Sequence, residues 1–545
     1  MGHRVRQVFL VILIIFITLG MLLPYWSASA AGLSDVSGHW AEPYITRMVG
    51  MDLISGYPDG RFGPDDPITR EQFATILCKA AKLPDPKGPP TFSDVPAERW
   101  SYRYIQSAVE AGIIHPEDYD FKFSPGEPIT RIEIVVMLVR AAGLEKETAK
   151  RAQLTIFKDP IPDWGRGYVT VAVNHGFVTG RPDGTFGAYA STTRAEASVI
   201  VLRMLDPKVR PAYWYEEYKY QAESGMNTLR VVRINFNRDE IEIRPALAGT
   251  VRDVAPLKEI AEKSGAIAAI NGTYFSCYPD KNPPDLWEPY NTLMIDGEWI
   301  HFTYQGTTLG ITRDKQILMA PIRMHIDGYN YGVPWEAWSM NHTSPDIIGI
   351  FNKYRGATTA MTDGVTFTVK EGRIVSRGGP DVPIPEDGYV IFVSNSRINE
   401  WTDKMFYVGG RPEYVVNLRT HDDRPYPPEE AAKWKNVVHA IGAGPRLVTD
   451  GRVSVNPLRE NITEDKQTIL AANRGAVGVT QDNIVMFVLC TRMTPQEFGQ
   501  AMLDLGSYNA MQMDSGGSSG LYFQGKYIVQ PGRNVSNALV IIEKK

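Results

Sequence analysis

Three cysteines in 545 residues, Cys78, Cys277 and Cys490, are a sparse and odd set. They exclude a disulfide framework, and each reads as a buried or bystander thiol. Positive charge is not in excess either. Lys and Arg number 57 against 62 Asp and Glu, for a formal net charge of −5. Nucleic acid is therefore not an expected partner. After residue 30 no run is long and apolar enough to span a bilayer. No Gly-Lys-Ser/Thr closes a glycine-rich loop, which excludes a P-loop. No G-x-S-x-G frame surrounds Ser515 or Ser518, and His301, His325, His342, His421 and His439 supply no persuasive partner for a serine nucleophile. What remains is ordinary for a folded chain, 43% hydrophobic and 22% charged. The length alone implies about three or four domains.

Residues 1–30 stand apart. Arg4 and Arg6 precede the apolar run VFLVILIIFITLGMLL, and Ala28-Ser29-Ala30 is a small-residue cleavage pattern. This predicts a secretory signal peptide, with an uncleaved membrane anchor as the alternative that the length of the apolar run allows. Its removal would take away two arginines and no acid, moving the net charge from −5 to −7.

Three passages then repeat. They open LSDVSGHW, FSDVPAERW and FKDPIPDW, so that Trp40, Trp100 and Trp164 fall at one repeat position. Each continues through a helical pattern, a Gly/Pro/Asp turn and a second helix. The second helices begin Thr69-Arg70-Glu71-Gln72, Thr130-Arg131-Ile132-Glu133 and Thr193-Arg194-Ala195-Glu196. Each start fits a capping box, with Thr at the N-cap and Gln or Glu at N3. An arginine at N1 is locally unfavourable beside the positive helix end. Three of them at one position point to a purpose. A guanidinium with free helix N–H groups makes an anion site, and a salt bridge to a neighbouring repeat's acid is the plainer alternative.

Over 33–206 the pattern resembles S-layer homology repeats: 33–84, 92–145 and 157–206. The resemblance implies an all-α three-lobed module. It would hold a secreted protein at the bacterial cell surface, on anionic, often pyruvylated, wall polymers. Arg70, Arg131 and Arg194 would contact the polymer, with Asp35, Asp94, Trp40, Trp100 and Trp164.

Residues 207–228 read as a linker. From 229 to 545 strand alternation mixes with helix signals. Val232, Ile234 and Phe236 alternate, and so do Ile241 and Ile243 across a short turn, predicting a hairpin. Thr494-Pro495-Gln496-Glu497 is a capping box with Pro at N1, and Phe498, Ala501, Met502 and Leu505 form one helix stripe. The expected class for this half is α+β with a mixed or antiparallel sheet.

The stretch AMQMDSGGSSGL ends a strand pattern in a lone acid, Asp514, ahead of a loop without bulk. An Asx-type turn would explain the acid alone. Bare N–H groups and hydroxyls from Ser515, Gly516, Gly517 and Ser518 would also form a nest for phosphate or an oxyanion. In chain order NGTYF, HAIGAGPRLVTDGRV, NRGAVGV, MDSGGSSGLYFQGKYI and VSNALVI resemble the phosphodiester glycosidase family, whose members include the lysosomal enzyme that removes GlcNAc from GlcNAc-1-phospho-mannose. The family usually has Asn-Gly-Gly-Phe-Phe and Asp-Gly-Gly-Gly-Ser where this chain has Thr273-Tyr274 and Ser515.

The resemblance implies cleavage of the C1–O bond of a sugar 1-phosphodiester, giving free sugar and a phosphomonoester. Asp514 would be the principal carboxylate, as nucleophile or base. Arg474 would stabilise the leaving phosphate, and Asn271 would orient sugar or phosphate oxygens. Asp363 would be a second acid, and Gly272, Gly444 and Asn537 would shape the substrate site. No metal or other cofactor is required. The acidic loops offer calcium oxygen ligands, but without EF-hand spacing. A non-catalytic glycan-binding or structural envelope protein is the alternative; the presence of Asp514, Arg474 and Asn271 favours the enzyme.

Overall fold

The computed structural model describes residues 33–151, 157–277, 287–302, 305–344 and 346–544. The signal-peptide segment and residues 278–286 of the insert after Phe275 lie outside them. The chain divides into two compact units, Met1–Gly143 with Gly187–Leu205, and Leu144–Phe186 with Asp206–Lys545. The third repeat contributes to both.

In the first unit an N-cap residue must leave the helix in an extended conformation. Thr69 (φ −84°, ψ 160°) and Thr130 (φ −81°, ψ 157°) do so, and both capping boxes close. Thr193 and Glu196 exchange the same pair of bonds. The extended segments ahead of the three helices meet and pair in a ring. Ile68 N donates to Thr192 O (3.0 Å), Thr192 N to Ile129 O (3.2 Å), and Ile129 N to Ile68 O (2.9 Å). Bridges Pro67↔Thr193, Thr69↔Pro128 and Thr130↔Ser191 flank it. The module is therefore not all-α, contrary to the sequence reading. Each extended segment is too short to show alternation, and only the three together make a structure. Ile68 and Ile129 are fully buried in it.

The second unit is dominated by strands, which overturns the α+β expectation. Among the described residues it holds five sheets, antiparallel except for one pairing, Ser339–Met340 with Ile348–Phe351. The marked helices form, at Leu257–Lys263 and Pro495–Asp504. Between them, however, the chain from Leu293 to Ala443 is mostly short hairpins whose alternation is weak in sequence. The segment read as a linker contains the strand Tyr213–Ala222, paired with Gly225–Asn235. Its aromatic and charged residues alternate because Tyr218, Tyr220 and Ala222 face the core while Glu217, Lys219 and Gln221 face water.

Two sheets position the site. One is seven-stranded and includes Ala472–Val479, Ile484–Met493 and Asn509–Gln512. The other is five-stranded and centres on Ala266–Asn271, flanked by Leu521–Phe523 and Asn537–Glu543. Ile270, Val477, Phe487, Met511, Met513, Leu521 and Leu539 belong to one core cluster shared by both. The helix Pro495–Asp504 packs Phe498, Ala501 and Met502 into a second cluster, with Val231, Met486 and Val488.

Arg233 is fully buried in the seven-stranded sheet. It donates to Glu216 Oε2 (2.7 Å), Asn174 Oδ1 (2.8 Å) and Leu505 O (3.1 Å). Removing it strands a buried carboxylate. Arg233→Met should therefore cost about 3–5 kcal/mol in urea unfolding, and adding Glu216→Gln should recover part of the loss. A shift within about 1 kcal/mol would show that the pair is dispensable.

Candidate functional site

Asp514 lies where the chain leaves the strand Asn509–Gln512 and crosses to Leu521–Phe523 in the other sheet. Asn271 ends the strand Ala266–Asn271 beside this crossing. Its Nδ2 donates to Asp514 O (2.8 Å), and its Oδ1 accepts from Gly520 N (3.0 Å), clamping both ends of the loop. Asp514 N in turn donates to Gly272 O (3.1 Å). A side chain on Gly272 would strike Asn537 Oδ1 at 1.9 Å. Asn537 itself holds Thr273 through its N–H (3.0 Å) and its hydroxyl (2.8 Å). Asn271, Gly272 and Asn537 thus hold the loop from behind.

The Asp514 carboxyl faces a cleft shared with Ser515, Ser518, Glu464, Lys466, Gln467 and Arg533, and with Tyr274, Phe275 and Tyr290. Burial pushes the carboxyl up to about 6, against the opposing pull of the Ser518 hydroxyl, the Ser515 N–H, Arg533 and Lys466. Ser515 N donates to Asp514 Oδ1 at 2.8 Å. The loop's lack of side chains has a local cause. A Cβ on Gly516 (φ +71°) would lie 2.3 Å from Lys466 Nζ, and one on Gly517 would lie 2.8 Å from Arg533 Nη2. The two glycines let an ammonium and a guanidinium approach the backbone next to the acid.

Arg474 is not one of the cleft's cations. It is fully buried, which lowers its pKa. Its donors go to Met493 O (2.6 Å), Gln512 Oε1 (2.9 Å), Lys466 O (2.9 Å) and Leu470 O. Gln512 Nε2 passes the connection to Gln467 Oε1 (2.9 Å), which lines the cleft. Tyr274 OH donates to Gly444 O, and burial drives its pKa well above the usual tyrosine value. Gly444 (φ +138°) has Glu460 Oε2 only 2.8 Å from where a Cβ would stand, so it shapes the wall behind Tyr274. Asp363 is exposed ahead of the strand Val365–Lys370 in another sheet and does not line the cleft. Sequence reasoning missed Lys466 and Glu464, which lie in and at the start of the one-turn helix Asp465–Thr468, too short to show a period, and Arg533, which lies outside any helix or strand. Only the position of Arg533, just ahead of the VSNALVI motif, hinted at a role.

In the first unit, Asp35 and Asp94 each cap their own repeat's turn. Asp35 accepts from Phe62 N (2.7 Å) and Gly63 N (2.8 Å), and Asp94 from Phe123 N (2.9 Å) and Ser124 N (2.7 Å). Trp40, Trp100 and Trp164 are 59%, 56% and 60% exposed. The N–H groups of the arginines are not free: Arg70 N donates to Glu127 O, Arg131 N to Ala190 O and Arg194 N to Asp66 O. Any anion site there rests on guanidinium rather than helix ends.

Among the described residues, one group could hold a metal. His325, Asp327 and Glu336 bring ligand atoms within 4.8 Å of one another. They lie on the paired strands Arg323–Asn330 and Val333–Ala337, away from the cleft lining, and the histidine makes the set unlike calcium's all-oxygen shell.

These features fit two classes of module, and the comparisons name both. The family model described as S-layer homology domain matches 32–74, 91–135 and 157–198, and the one described as Phosphodiester glycosidase matches 355–542. The chain carries three S-layer homology repeats and a phosphodiester glycosidase domain. Asp514 and Arg474 fall inside the second match, and Asn271 falls outside it. The chain is 32% identical over 183 residues to an S-layer protein EA1 of Bacillus anthracis, covering 33% of this chain and 21% of that one. It is 29% identical over 176 residues to an amylopullulanase of Thermoanaerobacterium thermosulfurigenes, covering 32% of this chain and 9% of that one. The chain thus spans about a fifth or less of the length of these relatives. A solved structure of a hypothetical protein from Synechocystis shares the fold, with TM-score 0.54 and 20% identity over 61% of this chain and 62% of that one. The repeats mark a secreted, cell-surface protein.

Burial of Asp514 carries a cost that can be read. Over pH 4–6 the folded carboxyl keeps a proton that the unfolded chain has lost, so stability falls as pH rises through this window and stays lower above it. Asp514→Asn should stabilise the protein at pH 7.5 by about 2–3 kcal/mol and change little at pH 4. Denaturant melts at the two pH values check this; destabilisation at pH 7.5 would contradict it.

Proposed function

We propose that this chain is a wall-anchored hydrolase that cleaves the C1–O bond of sugar 1-phosphodiesters, of the GlcNAc-1-phosphate type. The observation that carries the reading is the placing of one buried carboxylate, Asp514, in a single cleft with two cations, Lys466 and Arg533. The leaving group is a phosphomonoester, a weak base, so charge neutralisation serves it better than full protonation. Lys466 and Arg533 supply that charge. As the C1–O bond breaks, its electron pair stays on the phosphate oxygen and positive charge develops at C1. The Asp514 carboxylate faces that charge, as nucleophile or as base toward water. Glu464 is the second carboxyl of the cleft, taking the place first given to Asp363. Water adds at C1, its proton passes to a carboxylate, and free sugar and phosphomonoester result. Tyr274, Phe275 and Tyr290 offer ring faces to the sugar. Arg474 is a positioning residue, acting through Gln512 and Gln467. The repeats hold the enzyme on an anionic polymer of the wall.

The test is turnover of a GlcNAc-1-phosphodiester by the full chain, followed by NMR. Free sugar and phosphomonoester should appear. Asp514→Asn should lower kcat by at least about a hundredfold. Lys466→Ala and Arg533→Ala should each lower kcat/KM by about tenfold or more. The acid limb of kcat/KM should rise through pH about 6, as Asp514 ionises. Saturable binding without turnover, unchanged in Asp514→Asn, would make the domain a glycan-binding module instead.

A further inference from the structure

The hairpin of Arg323–Asn330 and Val333–Ala337 gathers a mixed set of donors on one face. Residues two apart in a strand share a face, so His325 and Asp327 do. Glu336 stands directly opposite Asp327 in the antiparallel register and joins them. His325 Nδ1 lies 3.1 Å from Asp327 Oδ1, and its Nε2 lies 3.5 Å from Glu336 Oε2. The third strand of this sheet, Pro412–Arg419, brings Asn417 opposite His325. Asn417 Nδ2 donates to Asp327 Oδ2 at 2.6 Å, which leaves Oδ1 turned to the imidazole.

Two features set this group apart from an ordinary ion pair. Like charges directly opposite each other destabilise an antiparallel pair. Asp327 and Glu336 are such a pair, and no lysine or arginine among the described residues is paired with either. Even fully protonated, one imidazole balances only one of the two carboxylates. His325 is also buried, 6% exposed, although both acids reach the surface. A buried nitrogen flanked by two carboxylates suits a cation of double charge.

The donors select the ion. Imidazole nitrogen suits zinc and its transition-metal neighbours, and carboxylate oxygens complete such a shell. One ligand atom from each residue lies within 4.8 Å of the others. Two ligands of a tetrahedral zinc ion stand about 3.4 Å apart, and exposed Glu336 has room to swing inward. Asn417 is placed as the outer partner that orients a ligating carboxylate. Access is built in, because Asp327 and Asn417 line a cavity of about 530 Å³ with Trp299, Tyr426 and Trp434.

We infer that His325, Asp327 and Glu336 bind one divalent transition-metal ion of the zinc class, which fastens the hairpin by joining its two strands. This cavity shares no lining residue with the Asp514 cleft, so the inference does not rest on the reaction proposed above. The hairpin also lies outside the 355–542 stretch matched as phosphodiester glycosidase.

The experiment is titration of the untagged full chain with zinc ions, followed by calorimetry and by thermal melting. One equivalent should bind per chain, and the Tm should rise on saturation. His325→Ala should weaken binding by at least about tenfold and remove the rise in Tm. Asn417→Ala, which removes no ligand, should weaken it by about tenfold. Glu336→Gln separates a metal site from a plain ion pair. It relieves the opposed charges, so its metal-free Tm should equal or exceed the native value, while zinc affinity falls by about tenfold or more. A native chain that binds no zinc would overturn the inference, and so would zinc affinity unchanged in both His325→Ala and Glu336→Gln. Calcium bound in preference to zinc would overturn the class of ion.

Discussion

The candidate site depends on one buried amide. Asn271 stands at the end of a central strand and bonds both ends of the loop that carries Asp514. Because the side chain is fully buried, neither bond competes with water, and losing either would leave a polar group unsatisfied. The clamp fixes where the chain crosses from the seven-stranded to the five-stranded sheet. That crossing places a carboxylate at a sheet edge, and the two glycines that follow admit Lys466 and Arg533. The geometry of the candidate site is here a consequence of how one loop is tied.

Both units use the same electrostatic device. A charged group is removed from water, held by neutral partners, and left without full compensation. In the second unit the group is the Asp514 carboxyl, lifted by burial and only partly offset by two cations. In the first it is the Arg194 guanidinium, oriented by two carbonyls and two rings. Other buried guanidinium groups are held in two ways: Arg474 meets neutral acceptors alone, and others meet a carboxylate. Arg233 has Glu216, and Arg355 has Glu288 at 2.6 Å.

Much of this was legible in the sequence. The repeats, their capping boxes and the helix at Pro495–Asp504 are local patterns, set by a few residues at fixed spacing. Asp514 was legible because a lone acid there precedes a run of bare N–H groups and hydroxyls, within a motif that resembles a known family. The misreadings have physical causes. The all-α assignment failed because each extended segment before a helix is too short to show alternation alone. The linker assignment failed because the aromatic face of Tyr213–Ala222 looks like composition until its period of two is noticed. Arg474 was given the phosphate because a sequence cannot show that its donors are already taken by Met493, Gln512, Lys466 and Leu470.

The sequence by itself determined the repeat architecture, the helix starts, the strand-rich hairpins around Val232 and Ile243, and the acid at 514. These follow from hydrophobic period and from hydrogen bonds between residues three or four apart. Tertiary structure alone decided which cations face that acid, that the donors of Arg474 are taken up inside the fold, and that Asp363 stands apart from the cleft. Those facts depend on distances between residues far apart in the chain. Such distances are set by how sheets and repeats pack, and no local pattern encodes them.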